Sequence, residues 1–382
     1  MIELKGMTWN HVRGYGPLEA TSEQFQLLHP EVQIRWDRRS LKDFGDYPVD
    51  KLAAEYDIIM IDHPHVGISS TQGVLVPLDE WIASNFLYDQ KMQSVGPSAQ
   101  SYYWEGHQWA LAVDAAAQVS AYRPDLMDGR PVPSKWNQVL ELASTLPNGR
   151  KVGFPLCPTD AMCSLISICA NIAGGEFIDE TNGIDPEAGE AAVALLQQLL
   201  PFLHPKSLDF NPIQMLDQMS ASDEIAYIPL LFGYSNYSRS GFARKLVHFT
   251  NIPSHDGRPH GSILGGVGMA VSALSPHIPL AVEYAKFTAS GVIQQTAYVD
   301  NSGQPGHRQA WIDADVNRKT NDFFDNTLET LDRAYMRPRH ASFPLFQERA
   351  GVLLHEDLLQ GSSPRDTIAR MNEWFKACKA DR

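Results

Sequence analysis

The opening of the chain, as far as Asp62, alternates strand-like and helix-like segments, and this limits the possible folds more than any other feature. "IELKGMTWN" reads as a strand, and "PLEATSEQFQLLHP" places Leu18, Thr21, Phe25 and Leu28 at helical spacing before stopping at Pro30. "VQIRWD" alternates like a strand, "VDKLAAEY" is a short helix, and "YDIIMID" is a continuous apolar strand. The order β-α-β-α-β demands crossover connections, so it seeds a parallel sheet covered on both faces. Ligands of such sheets sit beyond the carboxyl ends of the strands. Those ends carry Asn10, His11 and Arg13; Asp37, Arg38 and Arg39; and Asp62, His63 and His65.

The middle of the chain continues the α/β pattern. A helix is predicted over "PSKWNQVLELASTL", with Ser134 as N-cap and Trp136, Val139, Leu140 and Ala143 on one face. Another opens at "DPEAGEAAVALLQQLL", with Asp185 as cap and Pro186 in the first turn. "EIAYIPLLFGYSN" is a strand running into an aromatic, glycine-containing loop, and "VDNSGQPGHRQAW" reads as a loop. The last quarter is helical, ending in "SPRDTIARMNEWFKA" with Ser363 as cap, Pro364 in the first turn and Asp366 as an acidic first-turn residue.

With 382 residues, two or three domains are expected. The net charge of -14 repels phosphate backbones and anionic lipid, so nucleic acid and membrane surfaces are excluded as general partners. No segment approaches the roughly 20 apolar residues of a membrane span. "MIELKGMTWN" has no basic segment followed by an apolar core, so it is not a signal peptide. The expected location is periplasmic or cell-surface anchored if an export signal preceded Met1, and cytoplasmic otherwise. The four cysteines form no CxxC pair. Cys163 and Cys169 fall on one predicted helix, where residues six apart stand about 9 Å apart along the axis. A bridge needs Cα atoms closer than about 7 Å, so buried free thiols are expected.

"GSILGGVGMAVSALS" clusters Gly265, Gly266 and Gly268 before an apolar run. A dinucleotide fingerprint needs a third glycine and a following helix, and here "MAVSAL" alternates as a strand. No Walker lysine is present either. The remaining use is close backbone approach, by a ligand or by another segment.

The ordered series of features resembles the extracellular solute-binding proteins of ABC importers, the maltose-binding-like family 1. The matching pieces are "TWNHVRGYGPLEATSEQFQLLHPEVQIRW", "YDIIMIDHPHVGISSTQGVLVPLDEWI", "WEGHQWALAVDAAAQVSAYRPDLMDGRPVPSKWNQVLELA", the Gly174–Gly175 pair, and "GGVGMAVSALSPHIPLAVEYAKFTASGVIQQTAYVDNSGQPGHRQAW". The sequence departs from the group in "LAVDAA", where many members carry a proline. The resemblance implies a two-lobed, type II periplasmic-binding-protein-like α/β fold, each lobe a mostly parallel sheet flanked by helices, with a ligand cleft between lobes. It implies an N-terminal lobe of 1–112 plus 262–312 and a C-terminal lobe of 113–261 plus 313–382. Hinge closure would trap a small polar solute, which a monomeric carrier would hand to ABC permease transmembrane subunits. No cofactor or metal is implied. Gly265 and Gly266 would lie where a strand returns to the first lobe beside the cleft.

The resemblance also sorts the candidate contacts. Trp9, His11, Arg13 and Tyr15 follow the first strand and would face the cleft mouth, the alternative being a core Trp9 and a solvated Arg13. Asp62, His63 and His65 end the third strand, where they would hydrogen-bond solute or cap the strand end. His-Pro-His also suggests metal, but a third ligand at short spacing is missing. Asp114 falls near a lobe crossing, as a ligand contact or a hinge hydrogen bond. Phe232, Gly233 and Tyr234 end a second-lobe strand, as an aromatic wall or as ordinary packing. Arg337 and Arg339 in "MRPRHAS" would grip a carboxylate or sulfonate, or pair with an acidic side chain. Tyr102–Tyr103 resembles the tyrosine pair of ferric-binding relatives but occurs in the wrong place. Two other readings stand beside the carrier. One is a glycoside-processing enzyme using paired carboxylates among Asp37, Asp62 and Asp114. The other is a cytoplasmic sensor on the same fold.

Overall fold

The computed structural model describes residues 1–41 and 48–380. In chain order the main elements are β1 (Ile2–Trp9), α1 (Val12–Leu28), β2 (Val32–Arg39), α2 (Val49–Glu55), β3 (Ile58–Ile61), α3 (Val66–Gln72), α4 (Ser84–Met92) and β4 (Leu111–Tyr122). There follow α5 (Trp136–Thr145), β5 (Lys151–Val152), α6 (Pro158–Ala173), α7 (Pro186–Leu199), α8 (Pro212–Ala221), β6 (Ile225–Phe232), β7 (His248–Thr250), β8 (Leu264–Val271) and α9 (Ile278–Ala289). The chain ends with α10 (Phe323–Asp332), α11 (Phe343–Gln360) and α12 (Pro364–Ala380).

The chain forms two compact units. Unit 1 comprises 1–116, 265–318 and 337–341; unit 2 comprises 117–264, 319–336 and 342–382. In unit 1, β1 pairs in parallel with β2 from Ile2 opposite Val32 to Trp9 opposite Arg39, and with β3 at Gly6 opposite Ile58. β8 runs antiparallel to β3, with Gly268 opposite Ile61 and Val271 opposite Ile58. The strand Ile58–Ile61 is buried throughout, as its unbroken apolar sequence requires of a strand covered on both faces. In unit 2, β6 is parallel to β5 and antiparallel to β4, while β7 is antiparallel to β4. Each unit has its own apolar core: Leu4, Leu18, Phe25, Ile58 and Met269 are among the buried residues of unit 1, and Phe154, Ile166, Leu196, Tyr227 and Leu354 among those of unit 2.

The helix caps follow local chemistry with two corrections. Asp185 caps α7, its carboxylate accepting from Ala188 N at 2.8 Å, and Pro186 starts the helix as read. Ser134 is not the cap of α5. That position is Lys135, and Gln138 Oε1 reaches back to accept from both Ser134 N (2.9 Å) and Lys135 N (3.1 Å). The first helix begins at Val12, upstream of the segment read as helical, because His11 Nδ1 accepts from Arg13 N and caps it there. Its Leu28 is exposed and not on the buried face. In the segment read as a loop after Val299, Arg308–Trp311 is a short helix. All four cysteines are free; Cys163, Cys169 and Cys378 are buried and Cys157 is partly exposed. No helix among the described residues is long and apolar enough to cross a membrane.

Candidate functional site

The parallel strands of unit 1 deliver polar side chains at their carboxyl ends. β1 hands over directly to α1, so His11, Arg13 and Tyr15 lie at the start of a helix and not on a loop. Gly14 makes that tight turn work: a Cβ there would meet the Trp9 indole at 2.5 Å. Trp9 itself is buried in the unit 1 core beneath it. Burial, reinforced by the neighbouring Arg13 cation, lowers the His11 pKa to about 4, so its imidazole is neutral at physiological pH. Tyr15 has one ring face covered by the Arg38 guanidinium, 3.5 Å from the centroid.

Arg13 and Asp114 form a buried, two-pronged ion pair, Nε to Oδ2 at 3.0 Å and Nη2 to Oδ1 at 2.5 Å. Burial raises the Asp114 pKa, and the Arg13 charge and hydrogen bonds oppose that rise. The geometry is the bidentate guanidinium–carboxylate fork. It fastens the start of α1 to β4, a little before the point where the chain leaves unit 1 after Ala116. Of the other acids weighed for catalysis, Asp37 accepts from Tyr56 Oη at 3.0 Å, and Asp62 Oδ2 lies 4.0 Å from Arg337 Nη2.

His63, Pro64 and His65 form a single 3-10 turn after β3. His63 is wholly buried, and neither ring nitrogen has a hydrogen-bond partner among the described residues. Burial first, then the Arg337, Arg339 and His65 charges, holds its pKa well below the ordinary histidine range. Tyr102 stands edge-on to it, ring centroids 6.4 Å apart. The Tyr102 hydroxyl is within hydrogen-bonding reach of Ile61 O (3.2 Å) and Gly266 O (3.3 Å), bridging the end of β3 to β8. No cluster of three or more metal-ligating side chains occurs among the described residues.

The glycine run now has a structural explanation. Gly266 has φ +86°, and a Cβ on it would fall 2.3 Å from Asp114 O. Close approach of another segment, β4, requires this glycine. Gly265 is buried in the same strand. Arg339 donates from Nη1 to Gln100 O (3.1 Å) and Tyr103 O (2.5 Å) and lies 5.0 Å over the Trp104 ring. Its guanidinium is therefore engaged by backbone carbonyls and an aromatic face. In unit 2, Phe232 is partly buried at the end of β6 and Tyr234 is buried just beyond it.

The structure thus brings His11, Arg13, Asp62, His63, His65, Asp114, Gly266 and Arg339 into unit 1, and Phe232 and Tyr234 into unit 2. Exposure divides them. His11, Tyr15, Asp62, His65 and Phe232 keep partial solvent access, whereas Trp9, Arg13, His63, Asp114 and Tyr234 are buried. Sequence reasoning weighed Tyr102 only as half of a tyrosine pair and missed its bridging role, and it gave no weight to Gly67 or Trp104, whose partner Arg339 lies far along the chain.

Comparison with known proteins shows the fold. No family model matches the chain. A maltotriose-binding protein of Pyrococcus abyssi (strain GE5 / Orsay) is 24% identical over 204 residues, 52% of this chain. The match spans less than half of that relative, 43% of its length. Among solved structures, maltose-bound MalE3 of T. maritima superimposes with a TM-score of 0.84 at 17% identity, covering 99% of this chain and 100% of the other. A ribitol complex of an ABC transporter solute-binding protein from Agrobacterium radiobacter K84 gives 0.81 at 20% identity, covering 98% of each chain. The chain has the maltose-binding-like solute-binding-protein fold.

Proposed function

We propose that this chain is the solute-binding component of an ABC importer. It takes a small polar solute, a sugar, a polyol or a related compound, holds it by hinge closure and delivers it unchanged to the transmembrane permease. It does so in the periplasm or at the cell surface, as a monomer. The observation that carries this reading is that whole-chain structural neighbours hold maltose and ribitol. The side-chain chemistry of the two units supports it. Polar solutes need fixed hydrogen-bonding groups and a flat apolar surface for their C–H faces. Within unit 1, His11, Asp62 and His65 supply the former and Tyr15 the latter; in unit 2, Phe232 offers an aromatic face of its own. Arg13, Asp114 and the Gly265–Gly266 backbone hold the strand ends in place, and Asp114, its carboxylate bound in the fork to Arg13, serves position rather than proton transfer.

Thermal-shift screening against sugars, polyols, amino acids and organic acids tests the proposal. A stabilising shift with at least one sugar or polyol at millimolar concentration is expected. A flat response across the whole panel would contradict it.

A further inference from the structure

Residues 337–341 pack within unit 1, yet the chain on both sides of them, 319–336 and 342–382, belongs to unit 2. Such a piece is tied to unit 1 only by what it touches there. Its backbone rests directly on α3: a Cβ at Gly67 would lie 1.7 Å from Arg339 O and 3.1 Å from Ala341 N. Gly67 has no left-handed backbone, so its lack of a side chain serves the contact and not its own conformation. The Arg339 guanidinium then clasps the carbonyls of Gln100 and Tyr103 and covers the Trp104 ring. The same piece brings Arg337 Nη2 to 4.0 Å from Asp62.

His63 is wholly buried with neither ring nitrogen partnered among the described residues, and the charges of both Arg337 and Arg339 reach it. A ligand shifts such a piece only if it interacts differently with the seated and unseated forms, and the link available for that is Arg337 beside Asp62, one of the side chains proposed to touch solute.

We propose that residues 337–341 are a docking strap, seated on Gly67 and anchored by Arg339, and that its seating sets how long the solute is held. The retention half rests on the solute-binding reading; the seating half does not. Two variants test it. Gly67→Ala favours the α3 helix while blocking the seat. Arg339→Gln removes the anchor without altering the seat.

Seating is read without any ligand, by peptide-level hydrogen exchange over 337–341 in both variants and by limited trypsin digestion of Gly67→Ala. Trypsin cuts after Arg339, whereas the Arg337–Pro338 bond resists it. Exchange and cleavage roughly tenfold faster than in the parent are expected, the scale of one lost charge-assisted hydrogen bond. Far-UV circular dichroism should be unchanged. Parent-like exchange in both variants overturns the strap, whether or not a solute binds. With the solute found by screening, stopped-flow release should quicken by roughly tenfold in each variant. Faster exchange with unaltered release overturns the retention half. A protected strap in a parent protein that binds no solute tells against the transport reading and leaves the seat established.

Discussion

Asp160 lies in the first turn of α6, is 6% exposed, and accepts from Cys157 Sγ at 3.1 Å. Burial pushes its pKa from 3.8 up to about 7, with the Cys157 hydrogen bond acting weakly against that rise. An ionised carboxylate in this position would gain up to about 1 kcal/mol from the helix dipole. Burial outweighs that gain. The unfolded chain releases this proton near pH 4, the folded chain near pH 7. Between those values the folded state binds the extra proton, so stability from this group is fully present below about pH 4 and is lost as pH rises to about 7. A shift of about three units corresponds to roughly 4 kcal/mol. The perturbation is Asp160→Asn, which keeps the shape and an acceptor for Cys157 but cannot ionise. Urea unfolding followed by circular dichroism, at intervals from pH 4 to 8, should give a stability difference between variant and parent that grows in the variant's favour by roughly 4 kcal/mol, nearly all of it below pH 7.5. The difference removes contributions common to both proteins, so the slope and not the absolute value is the test. Parallel curves would refute the assignment of a buried, protonated Asp160.

His11 works in the opposite direction. Its pKa falls from 6.5 to about 4, so it contributes stability above pH 6.5 that is lost as pH drops toward 4. His11→Asn, which can still cap α1, should flatten that acid-side loss by roughly 2–3 kcal/mol in the same urea series. Asp114→Ala strands Arg13 in the core and should destabilise by about 3–5 kcal/mol, whereas Arg13→Met with Asp114→Leu together should recover most of it in a double-mutant cycle. Gly266→Ala forces a Cβ against the Asp114 carbonyl at a left-handed backbone, and should lower stability by about 3 kcal/mol or more on thermal melting.

Much of the architecture could be read because it is written locally. The β-α-β-α-β opening survives as β2-β1-β3 in parallel, since short-range apolar periodicity and a continuous apolar strand leave few alternatives. Asp185 before Pro186 marks α7 because cap chemistry lies within three residues of the cap. The start of α1 lies upstream of where periodicity places it, for the opposite reason. Gly14, Gly16 and Pro17 look like a turn, yet the glycines are there to clear Trp9 and Asn301 O, contacts invisible from propensity. The candidate site was legible as strand ends, but not as partnerships. Arg13 and Asp114 stand 101 positions apart, and Arg339 reaches carbonyls more than 200 positions away. A lone arginine looks the same in sequence whether it faces solvent, solute or a backbone carbonyl. Only folding decides which, and so the side chains proposed to touch solute are those that keep exposure once the internal pairs are formed.

The most direct test of the central proposal is calorimetric titration with the solute found by screening, followed by recovery of that solute and its chemical analysis. The account predicts saturable binding of one molecule per chain, at about micromolar affinity or tighter, corresponding to roughly -8 kcal/mol, with the solute returned intact. A chemically altered solute, or no saturable heat from any compound that shifts the melting curve, would contradict it.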